Sequence, residues 1–164
     1  MLERNLHRFQ SPKTQQPASK LEILEQRVIN GVEHVYQGYI HFGDEQYPIE
    51  EGIVCLGSHK NSQLYNQIWE GDFKKERKGE NQYGVSRQEK LLNILGYRSL
   101  GWLEQKTFLD VGSGLGRFTH AAVELGADAM ALDSSIIGLK YTRDRLAEEL
   151  SKSQFARCDF VQAD

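Results

Sequence analysis

A glycine-rich loop next to an acidic residue is the most informative pattern in the sequence. Asp110 lies in the apolar run 107–111, which is followed by Gly112-Ser113-Gly114-Leu115-Gly116. Glycines permit tight turns and let a ligand approach main-chain atoms that a Cβ would block. If the loop opens a helix, unpaired N–H groups and the positive end of the helix dipole attract an anion. The loop is therefore a candidate ligand-binding turn.

Two further acids follow β-type runs later in the chain. Asp133 follows residues 129–132 and stands 21 positions after Gly112, and Asp164 follows residues 160–163. An acid that ends the strand after such a loop can accept hydrogen bonds from both hydroxyls of a ribose. Each acid also has a structural alternative. Asp133 could cap the following helix, a role open to Ser134 or Ser135 as well, and Asp164 could be a helix cap or turn residue.

The segments between these runs have helical periodicity. Apolar residues recur at i, i+3, i+4 and i+7 after the loop, and a second stripe follows Asp133: Phe118, Ala121, Ala122, Leu125, then Ile136, Leu139, Leu146, Leu150. Strand, helix, strand, helix, strand predicts an α/β fold with a parallel sheet and right-handed crossovers. We expect the three strands in the order 3-2-1, which brings the three acids to one edge of the sheet.

The position of the third glycine separates two ligand classes. A dinucleotide-binding loop has the pattern G-x-G-x-x-G, and Arg117 occupies the position of its last glycine here. The run Leu109-Asp110-Val111-Gly112-Ser113-Gly114-Leu115-Gly116 instead resembles the first motif of class I S-adenosylmethionine-dependent methyltransferases. That resemblance implies that Asp110 organises the amino end of the cofactor and that its methionine part lies along Gly112, Ser113, Gly114 and Gly116. It also implies a ribose contact at Asp133, with Ser134 beside it, and an adenine contact at Asp164.

The resemblance implies a Rossmann-like parallel sheet, the first half of a seven-stranded methyltransferase core, preceded by a small N-terminal β unit. It implies methyl transfer from S-adenosylmethionine to an acceptor that we expect to be a small molecule, with the catalytic residues unknown. Because the chain ends at the third core strand, we expect it to be incomplete and its own activity to be doubtful. The alternatives are a non-catalytic remnant or binding module and, less favoured, an NAD(P)-dependent oxidoreductase.

The N-terminal half divides by composition into three segments. Residues 1–20 contain two prolines and several glutamines and predict a flexible leader. Residues 21–57 predict a small β unit of two or three strands, and residues 58–104 a helical segment before the core at 105–164, with helices over 58–80 and 85–95. The run Tyr47-Pro48-Ile49-Glu50-Glu51-Gly52-Ile53 resembles part of a zinc-ribbon-like module without its metal-binding cysteines, so no metal is expected.

Composition limits the function classes. The net charge of −3 gives no electrostatic reason to expect a nucleic-acid or membrane partner, and no apolar stretch reaches membrane-spanning length. The two cysteines, Cys55 and Cys158, are far apart, which favours neither a zinc site nor a disulfide framework and makes a cytoplasmic setting the expectation. We expect His120 to be a structural or surface residue, Arg117 to be a surface charge at the start of a helix, and Cys158 to be a small residue near the start of a strand and not a nucleophile.

Overall fold

The described residues, 1–57, 66, 86–96 and 99–163 of a computed structural model, form seven strands and four α-helices. The strands are β1 (Lys20–Ile29), β2 (Val32–Phe42), β3 (Glu45–Glu50), β4 (Ile53–Cys55), β5 (Thr107–Val111), β6 (Asp128–Asp133) and β7 (Cys158–Gln162). The α-helices are α1 (Arg87–Leu95), α2 (Arg117–Glu124), α3 (Ile136–Glu149) and α4 (Lys152–Phe155), and short 3-10 helices span Glu3–Arg8 and Leu100–Leu103. All seven strands join one mixed sheet, in the order β1-β2-β3-β4-β7-β6-β5.

The parallel part of the sheet contains β5, β6 and β7. β5 pairs with β6 and β6 with β7, both parallel, so the predicted order 3-2-1 is confirmed. α2 connects β5 to β6 and α3 connects β6 to β7. β5 is an edge of the sheet, and its Leu109 and Val111 side chains are 52% and 69% exposed. The carboxyl ends of the three strands therefore lie side by side, at the position where α/β sheets bind ligands.

The N-terminal β unit is larger than predicted and is not a separate module. It has four antiparallel strands instead of two or three, because residues 20–29 add a strand that the sequence analysis missed. Its last strand, β4, pairs in parallel with β7, with Val54 opposite Val161 and Cys55 opposite Gln162. β7 would otherwise present an unpaired edge, so β4 satisfies backbone groups that the parallel part leaves open. The zinc-ribbon resemblance stays a likeness of sequence alone.

The first 19 residues differ from the expected flexible leader. Met1, Leu2 and Phe9 are buried, at most 4% exposed, and pack with the antiparallel strands β1–β4, here called the meander, and with the parallel strands. The Leu2 N–H and the Asn5 side-chain amide donate to the carboxylate of Asp159 on β7, at 3.2 and 2.6 Å. The composition of this segment suggested that it had little apolar surface to bury. These few apolar side chains nevertheless pack on the sheet and shield apolar residues of its strands from water.

α1 agrees with the helix predicted over 85–95. Ser86 caps it through a capping box with Glu89, and the left-handed Gly96 ends it. Its buried Leu91 packs with Leu103 and with α2. The apolar stripe predicted at residues 64–73 lies outside the described residues. No helix in the described ranges is long and apolar enough to cross a membrane.

Gly38 on β2 accommodates an irregularity in β1. The β1–β2 register shifts on either side of Glu25, which indicates a β-bulge. A Cβ at Gly38 would lie 2.1 Å from the carbonyl oxygen of Glu22. We expect Gly38→Ala to lower the free energy of unfolding by about 1–3 kcal/mol, measured by urea denaturation. Gly101→Ala is the control, since no atom lies within 4 Å of its Cβ position. Equal stability of the two variants would contradict this account.

His34 on β2 predicts a pH-dependent stability. It is 1% exposed, its ring nitrogens have no hydrogen-bond partner among the described residues, and its ring centroid lies 5.3 Å from that of Phe155. Burial, and to a lesser extent nearby positive charges that include the N-terminal ammonium and Arg143, together lower the pKa of His34 to about 3. Between pH 3 and 6.5 the unfolded chain therefore binds more protons than the folded chain, so stability falls as pH falls through this window.

We expect the free energy of unfolding to drop by about 2 kcal/mol between pH 7 and pH 5 through His34 alone. His34→Leu removes this contribution, so the wild type should lose about 2 kcal/mol more than the variant in urea titrations at the two pH values. Exposed His7, replaced by glutamine, is the control and should follow the wild type. Parallel profiles of the wild type and His34→Leu would show the expectation wrong.

Candidate functional site

The glycine-rich loop has the backbone that its sequence predicts. Gly112, Gly114 and Gly116 have φ values of 69°, 52° and 65°, in the left-handed region that favours glycine. β5 ends directly before the loop and α2 begins directly after it, with Gly116 as the N-cap residue. The loop is thus a strand-to-helix turn at the carboxyl end of β5, with the N-terminus of α2 beside it.

α3 packs against the glycine loop at Gly116 but not at Gly112. A Cβ at Gly116 would lie 2.3 Å from Cγ2 of Thr142, and the Thr142 hydroxyl donates to the carbonyl oxygen of Gly114 at 2.8 Å. Apart from its chain neighbours, no atom of the described residues lies within 4 Å of the Cβ position of Gly112. Glycine is therefore required at 116 by packing, and at 112 it leaves space through which a ligand can approach the backbone.

Asp110 connects β5 to the first turns of α2. One oxygen, Oδ2, accepts hydrogen bonds from the Thr119 backbone N–H at 3.0 Å and from the Thr119 hydroxyl at 2.6 Å. Burial raises the pKa of Asp110, the two Thr119 hydrogen bonds lower it, and the charge of Asp133 raises it. Because its Oδ1 takes part in neither bond, Asp110 can orient the loop and still offer an acceptor to a cationic group.

Asp133 joins the end of β6 to the glycine loop. Its Oδ2 accepts from the Gly114 N–H at 2.9 Å, and its Oδ1 accepts from the Ser135 N–H at 2.9 Å. Ser135 is the N-cap of α3 and accepts from the Gly138 N–H at 3.1 Å. Asp133 therefore supports the start of α3 without being its N-cap, and it is 8% exposed at the carboxyl end of the sheet.

Four of the five loop N–H groups donate within the protein. Those of Gly112 and Ser113 donate to the Leu132 carbonyl at 2.8 and 3.0 Å, that of Gly114 to Asp133, and that of Gly116 to the Ser113 carbonyl at 2.7 Å. The Ser113 hydroxyl is buried and has no hydrogen-bond partner among the described residues. These bonds, three to the end of β6 and one within the loop, hold the loop in place. The Ser113 hydroxyl is a buried polar group that remains to bind a ligand.

The structure brings seven of the eight predicted cofactor residues into one region. The bonds above join the loop to Leu132 and Asp133, and Asp110 lies on β5 just before the loop and binds Thr119 of α2. Ser134 follows Asp133, and its carbonyl oxygen accepts from the Gln162 side chain at 3.3 Å. Asp164 lies outside the described residues. Sequence reasoning missed the supporting residues Thr119, Thr142, Gln162 and Asn66, whose Oδ1 accepts from the Ser135 hydroxyl at 2.7 Å. Their polar side chains on predicted core elements were the signal that could have pointed to them.

The remaining candidates have structural environments. His120 is 6% exposed between Glu124 and Glu149, with ring nitrogen to carboxylate distances of 3.1 and 3.3 Å, and burial lowers its pKa. Cys158 is fully buried on β7, and burial raises the pKa of its thiol. Neither residue is placed to react at the glycine loop.

Two cavities on the N-terminal unit are separate from this region. One, of about 450 Å³, is lined by residues that include Leu2, Arg4 and Val32, and another, of about 300 Å³, by residues that include Tyr39 and Pro48. No lining residue of either cavity belongs to the glycine loop or to the turn of Asp133, Ser134 and Ser135 between β6 and α3, here called the Asp133 turn. The convergence of acids, glycines and a helix N-terminus defines the candidate site better than cavity size does.

Comparison with known proteins finds distant structural matches to methyltransferases. No family model and no curated protein matches the chain. Among solved structures, the glycopeptide N-methyltransferase MtfA matches at 30% identity over 49% of this chain and 34% of its own, with a TM-score of 0.38. A TehB-like S-adenosylmethionine-dependent methyltransferase from Corynebacterium glutamicum matches at 20% identity over 65% of this chain and 47% of its own, with a TM-score of 0.35.

Phosphoethanolamine N-methyltransferase 1 of Haemonchus contortus matches at 16% identity over 65% of this chain and 23% of its own, with a TM-score of 0.36. The chain therefore spans less than half of the length of each of these three structures. It is similar to S-adenosylmethionine-dependent methyltransferases over about half of its own length.

Proposed function

We propose that this chain is the cofactor-binding part of an S-adenosylmethionine-dependent methyltransferase that acts on a small-molecule acceptor. The observation that carries the proposal is the bond between the Asp133 carboxylate and the Gly114 N–H. It brings the acid that ends the second parallel strand into contact with the glycine loop that ends the first. A ligand in this crevice meets the loop and the acid together, as a nucleoside joined to an amino-acid chain requires.

The hydrogen bonds of the loop favour this ligand over a dinucleotide. A pyrophosphate is bound by free N–H groups at a glycine turn and helix N-terminus. Here four of the five loop N–H groups are already engaged, and Arg117 replaces the third glycine of the dinucleotide pattern. S-adenosylmethionine carries no pyrophosphate, so this loop suits it better than it suits NAD(P).

The two acids are complementary to the ammonium group and the ribose hydroxyls of the proposed cofactor. Its methionine end carries an ammonium group, to which Asp110 offers the Oδ1 that takes no part in the Thr119 bonds. Its ribose carries two hydroxyls, whose hydrogen bonds Asp133 can accept in addition to its two backbone bonds. The buried Ser113 hydroxyl offers one further donor or acceptor. The geometry of these residues therefore fits the group, with Ser134 and Asp164 completing the predicted set.

The role of these residues in catalysis is alignment. When bound, S-adenosylmethionine supplies an electrophilic methyl group on a sulfonium, so the protein needs to orient the two reactants and exclude water. The Asp110 and Asp133 bonds fix the loop before the ligand arrives, which lowers the entropic cost of binding. We assign no general base to the described residues.

Calorimetric titration of the 164-residue chain tests the proposal. We expect saturable binding of S-adenosylmethionine and of S-adenosylhomocysteine, and no competition by NAD or NADP. Binding of NAD with no binding of S-adenosylhomocysteine would overturn the proposal in favour of an oxidoreductase. Binding without methyl transfer to any acceptor in a panel of small amines, phenols and carboxylates would identify a binding module.

A further inference from the structure

Gln162, the last residue of β7, occupies the position between the meander and the Asp133 turn. In the sheet it lies directly opposite Asp133 of β6 on one side and Cys55 of β4 on the other. Residues paired in parallel strands project their side chains to the same face of the sheet. The Gln162 side chain is fully buried, on the same face as the Asp133 carboxylate.

Four hydrogen bonds connect the meander to the Asp133 turn through Gln162 and Ala163. From the meander side, the N–H groups of Leu56 and Gly57 donate to the Gln162 carbonyl oxygen at 2.8 and 3.2 Å. Toward the site, the Gln162 Nε2 donates to the Ser134 carbonyl oxygen at 3.3 Å, and the Ala163 N–H donates to the Asp133 carbonyl oxygen at 3.0 Å. The end of β7 therefore holds the main chain of the turn on both Asp133 and Ser134.

Among the described residues, only one of the two polar atoms of the Gln162 side-chain amide makes a hydrogen bond. Its Nε2 reaches Ser134, whereas its Oε1 is buried and has no hydrogen-bond partner among the described residues. The contact of the Gln162 side chain that the described residues show is therefore the one from Nε2 to the turn after β6. The donor on Nε2 is the feature that an apolar side chain of the same size would lack.

We propose that Gln162 is a positioning residue, through which the meander fixes the Asp133 turn in the geometry that binds the ribose. This inference rests on the proposed function. It gives the N-terminal β unit a role in the ligand site, because Leu56 and Gly57 hold the residue that holds Ser134. Gln162 acts through the turn and needs no contact with the ligand.

The test compares Gln162→Met with Gln37→Met, a control at an exposed glutamine on β2. Gln162→Met should weaken S-adenosylhomocysteine binding about 3- to 10-fold, the effect of one neutral hydrogen bond, while Gln37→Met leaves it unchanged. The preference of the protein for S-adenosylhomocysteine over its 2′-deoxy analogue should shrink in Gln162→Met. A change confined to stability would not move this preference.

A double-mutant cycle with Asp133→Asn identifies the path of the effect. If Gln162 acts through Asp133, the double variant should bind no more weakly than Asp133→Asn alone. Unchanged affinity in Gln162→Met, or losses that multiply in the double variant, would overturn the inference while the proposed function stands. A wild-type chain that does not bind S-adenosylhomocysteine would overturn both. Gln162→Leu is the second variant, and loss of the fold in both would assign Gln162 to stability and reject the positioning role.

Discussion

Alanine in place of Gly116 should abolish measurable cofactor binding and lower the free energy of unfolding by about 2–5 kcal/mol. The left-handed conformation, with a φ of 65°, costs a non-glycine residue about 1–2 kcal/mol. The added Cβ would also lie 2.3 Å from Cγ2 of Thr142, an overlap that costs about 1–3 kcal/mol to relieve. Relief requires the Thr142 side chain to rotate or α3 to move away from the loop, and either change disturbs the Thr142 to Gly114 hydrogen bond at the site. Urea denaturation and calorimetric titration with S-adenosylhomocysteine measure the two effects.

Two further variants separate backbone strain from the steric overlap. Gly112→Ala introduces a Cβ at a φ of 69° where no described residue beyond the chain neighbours lies within 4 Å, so it should show the conformational cost alone. Thr142→Ser removes the clashing Cγ2 and retains the hydroxyl that donates to Gly114. Combined with Gly116→Ala, it should recover the steric part of the lost stability and some of the binding. If Thr142→Ser recovers nothing, packing of α3 against the loop is not the reason for glycine at this position.

The parallel strands were predictable because their signals are local. An apolar run before a G-x-G-x-G loop fixes the end of β5 near Val111, and the helical stripe after it fixes α2. The left-handed glycines follow from the same pattern, since only glycine adopts that conformation at little cost. Each of these features is determined by residues that are close together in sequence.

The pairing of β4 with β7 was not predictable in this way. β4 is only three residues long, and Val54 and Val161 are far apart in sequence, so no short-range pattern specifies their register. The buried N-terminal residues were missed for a related reason. A composition rich in proline and glutamine outweighed a few apolar side chains, whose partners lie on strands that come much later in the chain.

The acids and glycines of the candidate site were predictable from the sequence, but the residues that hydrogen-bond to them were not. Asp110 and Asp133 stand at strand positions that the sequence predicts, whereas Thr119 and Gln162 become relevant only when helix and strand are packed together. The ligand roles assigned to the eight predicted residues stay predictions. The structure adds that Asp110 and Asp133 already make hydrogen bonds within the protein, so a variant of either has two effects to separate.

Asp133→Ala should weaken S-adenosylhomocysteine binding about 10- to 100-fold and also lower stability. The carboxylate can accept two charge-assisted hydrogen bonds from the ribose, each worth about 1.5–3 kcal/mol before desolvation losses, so a net loss of about 1.5–3 kcal/mol is expected. The same change leaves the N–H groups of Gly114 and Ser135 without their acceptors, which we expect to cost about 1–3 kcal/mol of stability. Calorimetric titration paired with a thermal melt records both quantities.

Ser135→Ala is the matched control for the structural part of the Asp133 effect. It removes the N-cap acceptor of the Gly138 N–H in the same helix, at a cost of about 1 kcal/mol, together with the hydroxyl that donates to Asn66, and it leaves the Asp133 carboxylate in place. We expect this variant to melt at a lower temperature than the wild type and to bind with nearly wild-type affinity. Asp133→Asn retains one acceptor oxygen, so its affinity should fall between those of the wild type and Asp133→Ala. If Asp133→Ala lowers the melting temperature and leaves the affinity unchanged, as Ser135→Ala is expected to do, Asp133 serves only to hold the loop and α3, and the ribose-binding role is wrong.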